Sequence, residues 1–542
     1  MCRKYVYGLL LLLSLNAAAQ QSGMPRLIKS GGEAQLQVNG KPFIILGGEL
    51  GNSSASANAY MQKVWPRLEA MQLNTVLVPV YWELLEPEEG KFDFALVDSL
   101  ILNARKHHLK VVPLWFGTWK NSMSCYVPAW VKKDAKRFQR TLGSNGRSVE
   151  ILSAFNADIL EADKKAFAAL MKHIKQMDAR AQTVIMVQVE NEIGMLSLAR
   201  EATPEANRLY QAEVPATLMA YLQQHKENLV PELKQLWQQQ GFVAHGNWEA
   251  VFGKGYATEE LFQAWYYARY TQEVAAAGKA VYALPMYVNA ALIKNGQKPG
   301  EYPAAGPLPQ VMDIWQAAAP TIDVLSPDFY NPDTQYWCDL FTRRNNPLFI
   351  PEIRLDMSCA AKVFYTLGHY KAFGFSPFSI ENASPQTAAA LRNSYDILAQ
   401  LTPAIVAGGQ KDGVLLDKKE PQQQLVMGNY RLTFKHDHTL SWSSGAKDSI
   451  WPVTGAMVIQ TAADEFLIAG TGVVCTFAAV NEALTTNIER VDEGRFKNGK
   501  WVAGRRLNGD EDHQGRHVSI PAGDWNIQLV KLYTTTEAVP YK

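Results

Sequence analysis

Residues 183–194 read TVIMVQVENEIG, and the change of character inside that stretch decides the fold. Val184, Ile185, Met186 and Val187 form an apolar, largely β-branched run, as expected of a strand buried on both faces. Gln188, Val189, Glu190, Asn191, Glu192 and a glycine follow at once. Acid, amide and acid at the end of a buried strand make poor packing material, because charged groups there lose hydration. One reading is a strand end that has reached solvent. The other is chemistry, since catalytic residues of parallel barrels gather where strands feed into loops.

The same alternation recurs along the chain. Working outward, strands are expected at 42–46 (leading into Gly47-Gly48-Glu49-Leu50-Gly51), 74–83, 110–116, 283–289, 321–330, 347–353 and 374–380. Amphipathic segments with apolar spacings of three and four lie between them, as at Met61, Val64, Leu68 and Met71. Residues 195–255 form a mostly helical excursion larger than a barrel loop needs. Eight strand-like runs alternating with helices predict an α/β fold, a (β/α)8 TIM barrel with insertions. A doubly wound sheet would need a glycine-rich phosphate turn after an early strand, and Gly47-Gly48 lacks that spacing. From about residue 406 the texture becomes short strands separated by Gly, Asp and Asn turns, which predicts a C-terminal all-β, sandwich-like domain over 406–542. The barrel, with a short N-terminal β segment, is assigned to 20–405.

Residues 1–19 are set apart from this fold. Arg3 and Lys4 precede the apolar run 9–13, and Ala17-Ala18-Ala19 supplies small residues for cleavage, so a signal peptide and a secreted or periplasmic product are expected. That apolar run is too short to span a bilayer. The chain has 542 residues, 47% hydrophobic and 19% charged, with formal charge +1; without Arg3 and Lys4 this becomes +1 − 2 = −1. Near-neutrality gives no electrostatic case for nucleic acid or a membrane surface as partner. Beyond Cys2, the cysteines Cys125, Cys338, Cys359 and Cys475 are too scattered for a disulfide framework and fit no zinc spacing. No metal or cofactor is expected.

Two acids stand out by position: Glu192 after the fourth strand and Glu352 at the end of the seventh. Both strands can aim side chains into one barrel mouth. Facing carboxyls separated by roughly 5–5.5 Å are what a retaining glycosidase needs, one protonating the leaving oxygen and one attacking the anomeric carbon. Their environments must then keep one protonated and the other ionised. Pairing of each acid with a nearby Arg such as Arg354 is the plain structural reading. Asn191 either hydrogen-bonds a sugar 2-hydroxyl or caps the following loop. Tyr330 either orients Glu352 and touches the ring or belongs to the core. Glu83, Asn289 and Glu381 also end strands and suit sugar hydroxyls. Trp119, like Trp82 and Trp115, either stacks on a sugar face or packs inside.

The run Gln188-Val189-Glu190-Asn191-Glu192 resembles the Asn-Glu acid/base motif of retaining (β/α)8 glycoside hydrolases. Met71-Gln72-Leu73-Asn74-Thr75-Val76, with Trp82, Glu86-Pro87, Gly90 and Phe92-Asp93-Phe94, resembles glycoside hydrolase family 35, the β-galactosidases, and the likeness runs over residues 43–382. It implies Glu192 as acid/base, Glu352 as nucleophile, and a terminal β-galactoside as carbohydrate substrate. The chain departs from the family at Glu83 and Leu85, where many members carry Asn and His. It departs again at Gly47-Gly48-Glu49-Leu50, in place of the usual Ser-Gly…His-Tyr motif. The expectation is thus a retaining exo-β-galactosidase of a divergent bacterial branch. The alternatives are a retaining β-glycosidase for another sugar and a silent carbohydrate-binding barrel.

Overall fold

The apolar run of 183–194 becomes the fourth strand of a closed parallel barrel. The structure, a computed structural model, describes residues 23–294 and 296–536, so the expected signal peptide lies outside the described residues. The barrel strands are β1 (Ile45–Glu49), β2 (Thr75–Tyr81), β3 (Lys110–Lys120), β4 (Val187–Asn191), β5 (Met286–Ala291), β6 (Val324–Phe329), β7 (Ile350–Ile353) and β8 (Gly374–Pro377). Each pairs in parallel with the next in sequence, and β8 closes on β1. That neighbour order follows from right-handed β–α–β crossovers, each laying its helix on the outside of the barrel.

The helices earn their positions by one buried stripe each. In Asn58–Ala70, Met61, Val64, Trp65 and Leu68 face inward, the spacing read from sequence. Asn156 caps Ala157–Asp178 by accepting from the Ile159 N–H, satisfying one of the free donors of the first turn. The helix Tyr256–Val281 packs so closely on Ala157–Asp178 that a β-carbon at Gly278 would lie 2.3 Å from Phe167 Cε1; only glycine fits there. Between β4 and that helix, residues 195–255 carry four short helices, Pro204–Tyr210, Ala216–Gln224, Pro231–Gln239 and Trp248–Phe252, the mostly helical excursion expected.

Beyond the barrel, strands Lys411–Leu416, Thr454–Ala462, Glu465–Thr471, Asn526–Thr536, Leu484–Lys497 and Lys500–Leu507 form a six-stranded sheet in that spatial order. A four-stranded sheet of Gln422–Met427, Tyr430–His436, Val473–Ala479 and Val518–Ile520 packs beside it. Period-two alternation sorts the six-stranded sheet's side chains. Val458, Phe466 and Ile468 fill the space between the sheets, while Met457, Ile459, Leu467 and Ala469 join the barrel's own core. Contact with the helix Cys359–Gly368 is backbone-close: a β-carbon at Gly413 would meet Phe364 O at 2.9 Å, and one at Gly455 would meet Ala361 O at 2.8 Å. Among the described residues no helix is long and apolar enough to cross a membrane, and Cys125, Cys338, Cys359 and Cys475 are free.

The apolar run meets the barrel before β4 begins, since Val184 already bridges Val111 of β3 in parallel. The Val184 N–H donates to Asp178 Oδ2 at 2.7 Å, and Arg105 Nη2 donates to Asp178 Oδ1 at 2.7 Å. Asp178 is fully buried, so removing it strands one backbone donor and one half-buried guanidinium. Asp178→Ala is expected to cost about 2–3 kcal/mol, read as a lower urea midpoint with unchanged slope.

Candidate active site

The ends of the barrel strands bring four carboxyls together: Glu49 from β1, Glu192 just beyond β4, Asp328 from β6 and Glu352 from β7. All are buried, Glu192 and Glu352 at 6% and 5% exposure. Lys120, at the end of β3, is the cation among them. Its Nζ lies 5.1 Å from the Phe116 ring centroid, and it forms no ion pair among the described residues.

Glu192 is held from several sides. Its N–H donates to Asn289 Oδ1 at 3.0 Å, and Asn289 Nδ2 donates to Asp328 Oδ2 at 2.7 Å. Ser122 N–H donates to Glu192 O at 3.1 Å and Asn121 N–H to Asn191 O at 3.2 Å, while the Asn121 amide donates to Glu192 Oε2. This clamp sustains left-handed backbone at Glu190 (φ 60°) and Glu192 (φ 44°), a conformation that costs a non-glycine residue on the order of 1 kcal/mol or more. Gly194 completes the turn, since a β-carbon there would sit 2.4 Å from Pro303 Cβ.

Glu352 is oriented by the Tyr330 hydroxyl, which donates to Oε1, while Oε2 has no partner among the described residues. Burial, and after it the negative charge of Glu192, pushes the Glu352 carboxyl up to about 7; Lys120 and Tyr330 hold it lower than it would otherwise be. Glu49 and Asp328 are pushed well up by burial and then by the Glu352 charge. Four acids facing one ammonium cannot all be ionised in a site shut off from water, so the cluster shares protons.

Asn191 is fully buried with neither amide atom partnered among the described residues, as is the Tyr287 hydroxyl, while both Glu49 oxygens and Asp328 Oδ1 meet no donor group, Glu49 and Asp328 lying instead against the Glu352 and Glu192 carboxyls. Each such group costs about 1–3 kcal/mol unless a ligand or water takes it up. A ring of donors and acceptors left open in one mouth is suited to a polyhydroxylated ligand.

Several residues expected to bind substrate are engaged elsewhere. Glu83 lies not at a strand end but on the short helix Trp82–Leu85, its carboxylate paired with Lys132 at 2.9 Å. Trp119 is fully buried, its indole N–H donating to Leu152 O at 3.3 Å and its ring edge-on to Tyr267 and Tyr270; no face is left for a sugar. Glu381 accepts from Gly51 N–H at 3.0 Å and from the Ser54 hydroxyl, tying down the loop after β1. Asn289 is occupied at both ends as the buttress of Glu192. Glu190 turns away from the mouth, accepting from Trp119 N–H at 2.8 Å; burial and then the charge of Asp163 push its carboxyl well up. Tyr330 does orient Glu352. Glu49, Lys120, Asn121, Asp328 and Tyr287 were not singled out as site residues from sequence. Glu49, Lys120, Asn121 and Asp328 lie at or near a strand's C-terminal end, so the rule that found Glu192 also covers them; Tyr287 stands near the start of β5, where that rule gives no signal. Among the described residues no group of three or more His, Cys, Asp or Glu is arranged to hold a metal ion.

Against known proteins, the model for Glycosyl hydrolases family 35 matches residues 35–404, and that for a domain of unknown function, DUF5597, matches residues 391–519. The chain is 31% identical to Beta-galactosidase-1-like protein 3 of Rattus norvegicus over 170 residues, 30% of this chain and 24% of that one. It is 29% identical to a Beta-galactosidase of Xanthomonas manihotis over 204 residues, 36% of this chain and 31% of that one. The matched stretches thus span about a quarter to a third of these relatives. Among solved structures, the beta-galactosidase from Bacillus circulans sp. alkalophilus aligns with TM-score 0.46 and 14% identity, covering 67% of this chain and 57% of that one.

The raised Glu352 carboxyl makes a stability prediction. Folded, it titrates at about 7; unfolded, near ~4.3. Between those values the folded chain holds the extra proton, so stability is fullest below the unfolded value, falls as pH rises, and stays low above about 7. Glu352→Gln removes the buried charge. It is expected to raise unfolding free energy by on the order of 2 kcal/mol at pH 8 and by almost nothing at pH 4, read from urea melts of both proteins at each pH.

Proposed function

The chain belongs to glycoside hydrolase family 35, and from that premise we propose that it is a retaining exo-β-galactosidase, acting outside the cytoplasm on terminal β-galactosyl residues of oligo- or polysaccharides. The observation that carries this reading is the pairing of Glu192 and Glu352 in one buried mouth whose remaining polar atoms lack protein partners. The galactoside follows from the names borne by the relatives. The extracytoplasmic setting follows from the charged and apolar pattern of residues 1–19.

In this reading Glu352 is the nucleophile. Tyr330 occupies Oε1, which leaves Oε2 to attack the anomeric carbon. Glu192 is the acid/base: Asn121 holds Oε2, so Oε1 carries the proton to the glycosidic oxygen. The two are linked, since a proton on Glu192 removes the charge that keeps Glu352 hard to ionise. The state with that proton on Glu192 and Glu352 ionised is the productive one. Once the glycosyl–enzyme bond forms, the Glu352 charge is gone and Glu192, now a carboxylate, takes a proton from the incoming water. Asn191 supplies the contact to the 2-hydroxyl that strengthens in the transition state. A retaining enzyme for another sugar is the second reading, favoured by Glu49 at a strand end where the family's usual motif differs.

A nitrophenyl glycoside screen with NMR of the first-formed anomer tests the function; an α product would end the retaining mechanism. Glu352→Gly is expected to abolish turnover, with azide restoring it and yielding the α-glycosyl azide. Glu192→Ala is expected to spare the first step on dinitrophenyl substrates, which need little proton donation. The reverse behaviour would exchange the two roles. The acid limb of kcat/KM is expected below about 7, activity rising as Glu352 ionises beside a protonated Glu192 that no longer raises it, and Tyr330→Phe is expected to move that limb upward by removing a donor to the carboxylate.

A further inference from the structure

We propose that Glu49 reads the sugar: its carboxyl group hydrogen-bonds two hydroxyls of a neutral hexopyranoside, on ring carbons away from the anomeric centre. The inference rests on the glycosidase reading of the mouth and adds to it the residue that selects the glycone.

Glu49 ends β1, and the two residues before it have no side chains to offer. A β-carbon at Gly47 would lie 2.4 Å from Ser376 Oγ, and one at Gly48 would lie 2.6 Å from Ile380 Cγ1. β1 is thus pressed against the β8 segment, and Glu49 is the side chain that this wall presents beside the paired carboxyls. It is fully buried; among the described residues no N–H, hydroxyl or ammonium donor reaches either oxygen, and its near polar neighbour is the Glu352 carboxyl. A structural carboxylate at zero exposure would be expected to hold an arginine or a set of backbone N–H groups. Asp178 and Asp163 show that pattern in this protein: Asp178 takes Arg105 and Val184 N–H, and Asp163 takes Trp115 Nε1, Thr118 and Tyr270. Glu49 does not. What its oxygens lack is a donor on the protein, and a sugar's hydroxyls, which both donate and accept, supply partners in adjacent pairs.

Position selects which hydroxyls. Asn191 and Glu192 at β4, with Glu352 at β7, take the anomeric carbon and its neighbour in the reading above. β1 lies beyond β7 and β8 on the barrel wall, reaching the rest of the ring. Lys120 stands in the same part of the mouth, as the lowering of both the Glu49 and Glu352 carboxyls by its charge records. The charge balance also selects the substrate class. A glycone bearing a carboxylate or sulfate would add a further anion beside Glu49, Asp328 and Glu352 with one ammonium to offset them, so the fitting glycone is neutral.

The test compares kcat/KM for wild type, Glu49→Gln and Glu49→Ala on the nitrophenyl hexoside that wild type cleaves fastest, its 2-, 3-, 4- and 6-deoxy forms, and the matching uronide. In wild type, one or two of the 3-, 4- and 6-deoxy substrates are expected to lose on the order of 10³-fold, because the buried carboxylate is then left unpaired. In the variants that penalty is expected to fall to about tenfold or less, with the 2-deoxy penalty unchanged and the uronide poor for wild type. Equal losses on every deoxy sugar in all three proteins would overturn the proposal, leaving Glu49 a role in charge balance alone. Preferred cleavage of the uronide by wild type would also overturn it. Thermal melts identify a variant that has not folded, and the isosteric Glu49→Gln then carries the comparison. Because the fastest hexoside is chosen by measurement, a wrong sugar in the galactoside reading leaves this test intact. If wild type binds methyl hexosides without cleaving them, the same comparison is made on Kd by calorimetry. If it neither cleaves nor binds any, both readings fail.

Discussion

Charge without compensation is the constraint on which this barrel mouth turns. Glu49, Glu192, Asp328 and Glu352 converge from four walls upon a single ammonium, Lys120, each acid at most 6% exposed. Such an arrangement is held together at a cost in stability, because no packing gain follows from placing like charges in a medium of low dielectric. The surrounding fold must therefore be stable enough to force it. The eight-stranded barrel, its outer helices and the sheet sealed against the helix Cys359–Gly368 supply that surplus.

The cost is managed by precise hydrogen bonding around the acids rather than by cations. Asn289 bridges the Glu192 backbone to Asp328, Asn121 holds a Glu192 oxygen and Tyr330 holds one of Glu352. Each donor fixes one oxygen and leaves the other directed at the space where a substrate would sit. Left-handed backbone on either side of Asn191 belongs to the same arrangement. It bends the end of β4 so that consecutive residues serve different purposes: Glu190 backs the wall behind Trp119, and Glu192 enters the mouth.

Much of this was legible because periodicity and strand ends are local properties. The eight strands and their order came from apolar runs punctuated by amphipathic helices, and the C-terminal strands from their turns. What the chain could not reveal was partner choice. In sequence Glu83 and Glu381 look like strand ends as Glu192 does, yet both fall on short helical turns, where Lys132 and the Gly51–Ser54 loop claim them. Trp119 looks like a stacking platform until Tyr267 and Tyr270, some 150 residues later, are seen against its ring. Asp328, hidden in an ordinary strand, matters only because β6 stands beside β7. A strand end tells where a side chain emerges; tertiary neighbours decide whether it is free.

The six-stranded sheet has a consequence for how the molecule is made. Asn526–Thr536, the last strand of the described residues, lies in its interior between Glu465–Thr471 and Leu484–Lys497. The helix that follows the Glu352 strand is covered by Lys411–Leu416 and Thr454–Ala462, and these are joined through Glu465–Thr471 to Leu484–Lys497 only when Asn526–Thr536 is in place. A ribosome adding roughly 5–20 residues per second needs on the order of 10–40 s to travel from Glu352 to Thr536. For most of that interval, once Gly374–Pro377 has been made, the barrel has all eight strands while the six-stranded sheet still lacks an interior strand. Completion of the covering sheet is thereby timed by Asn526–Thr536.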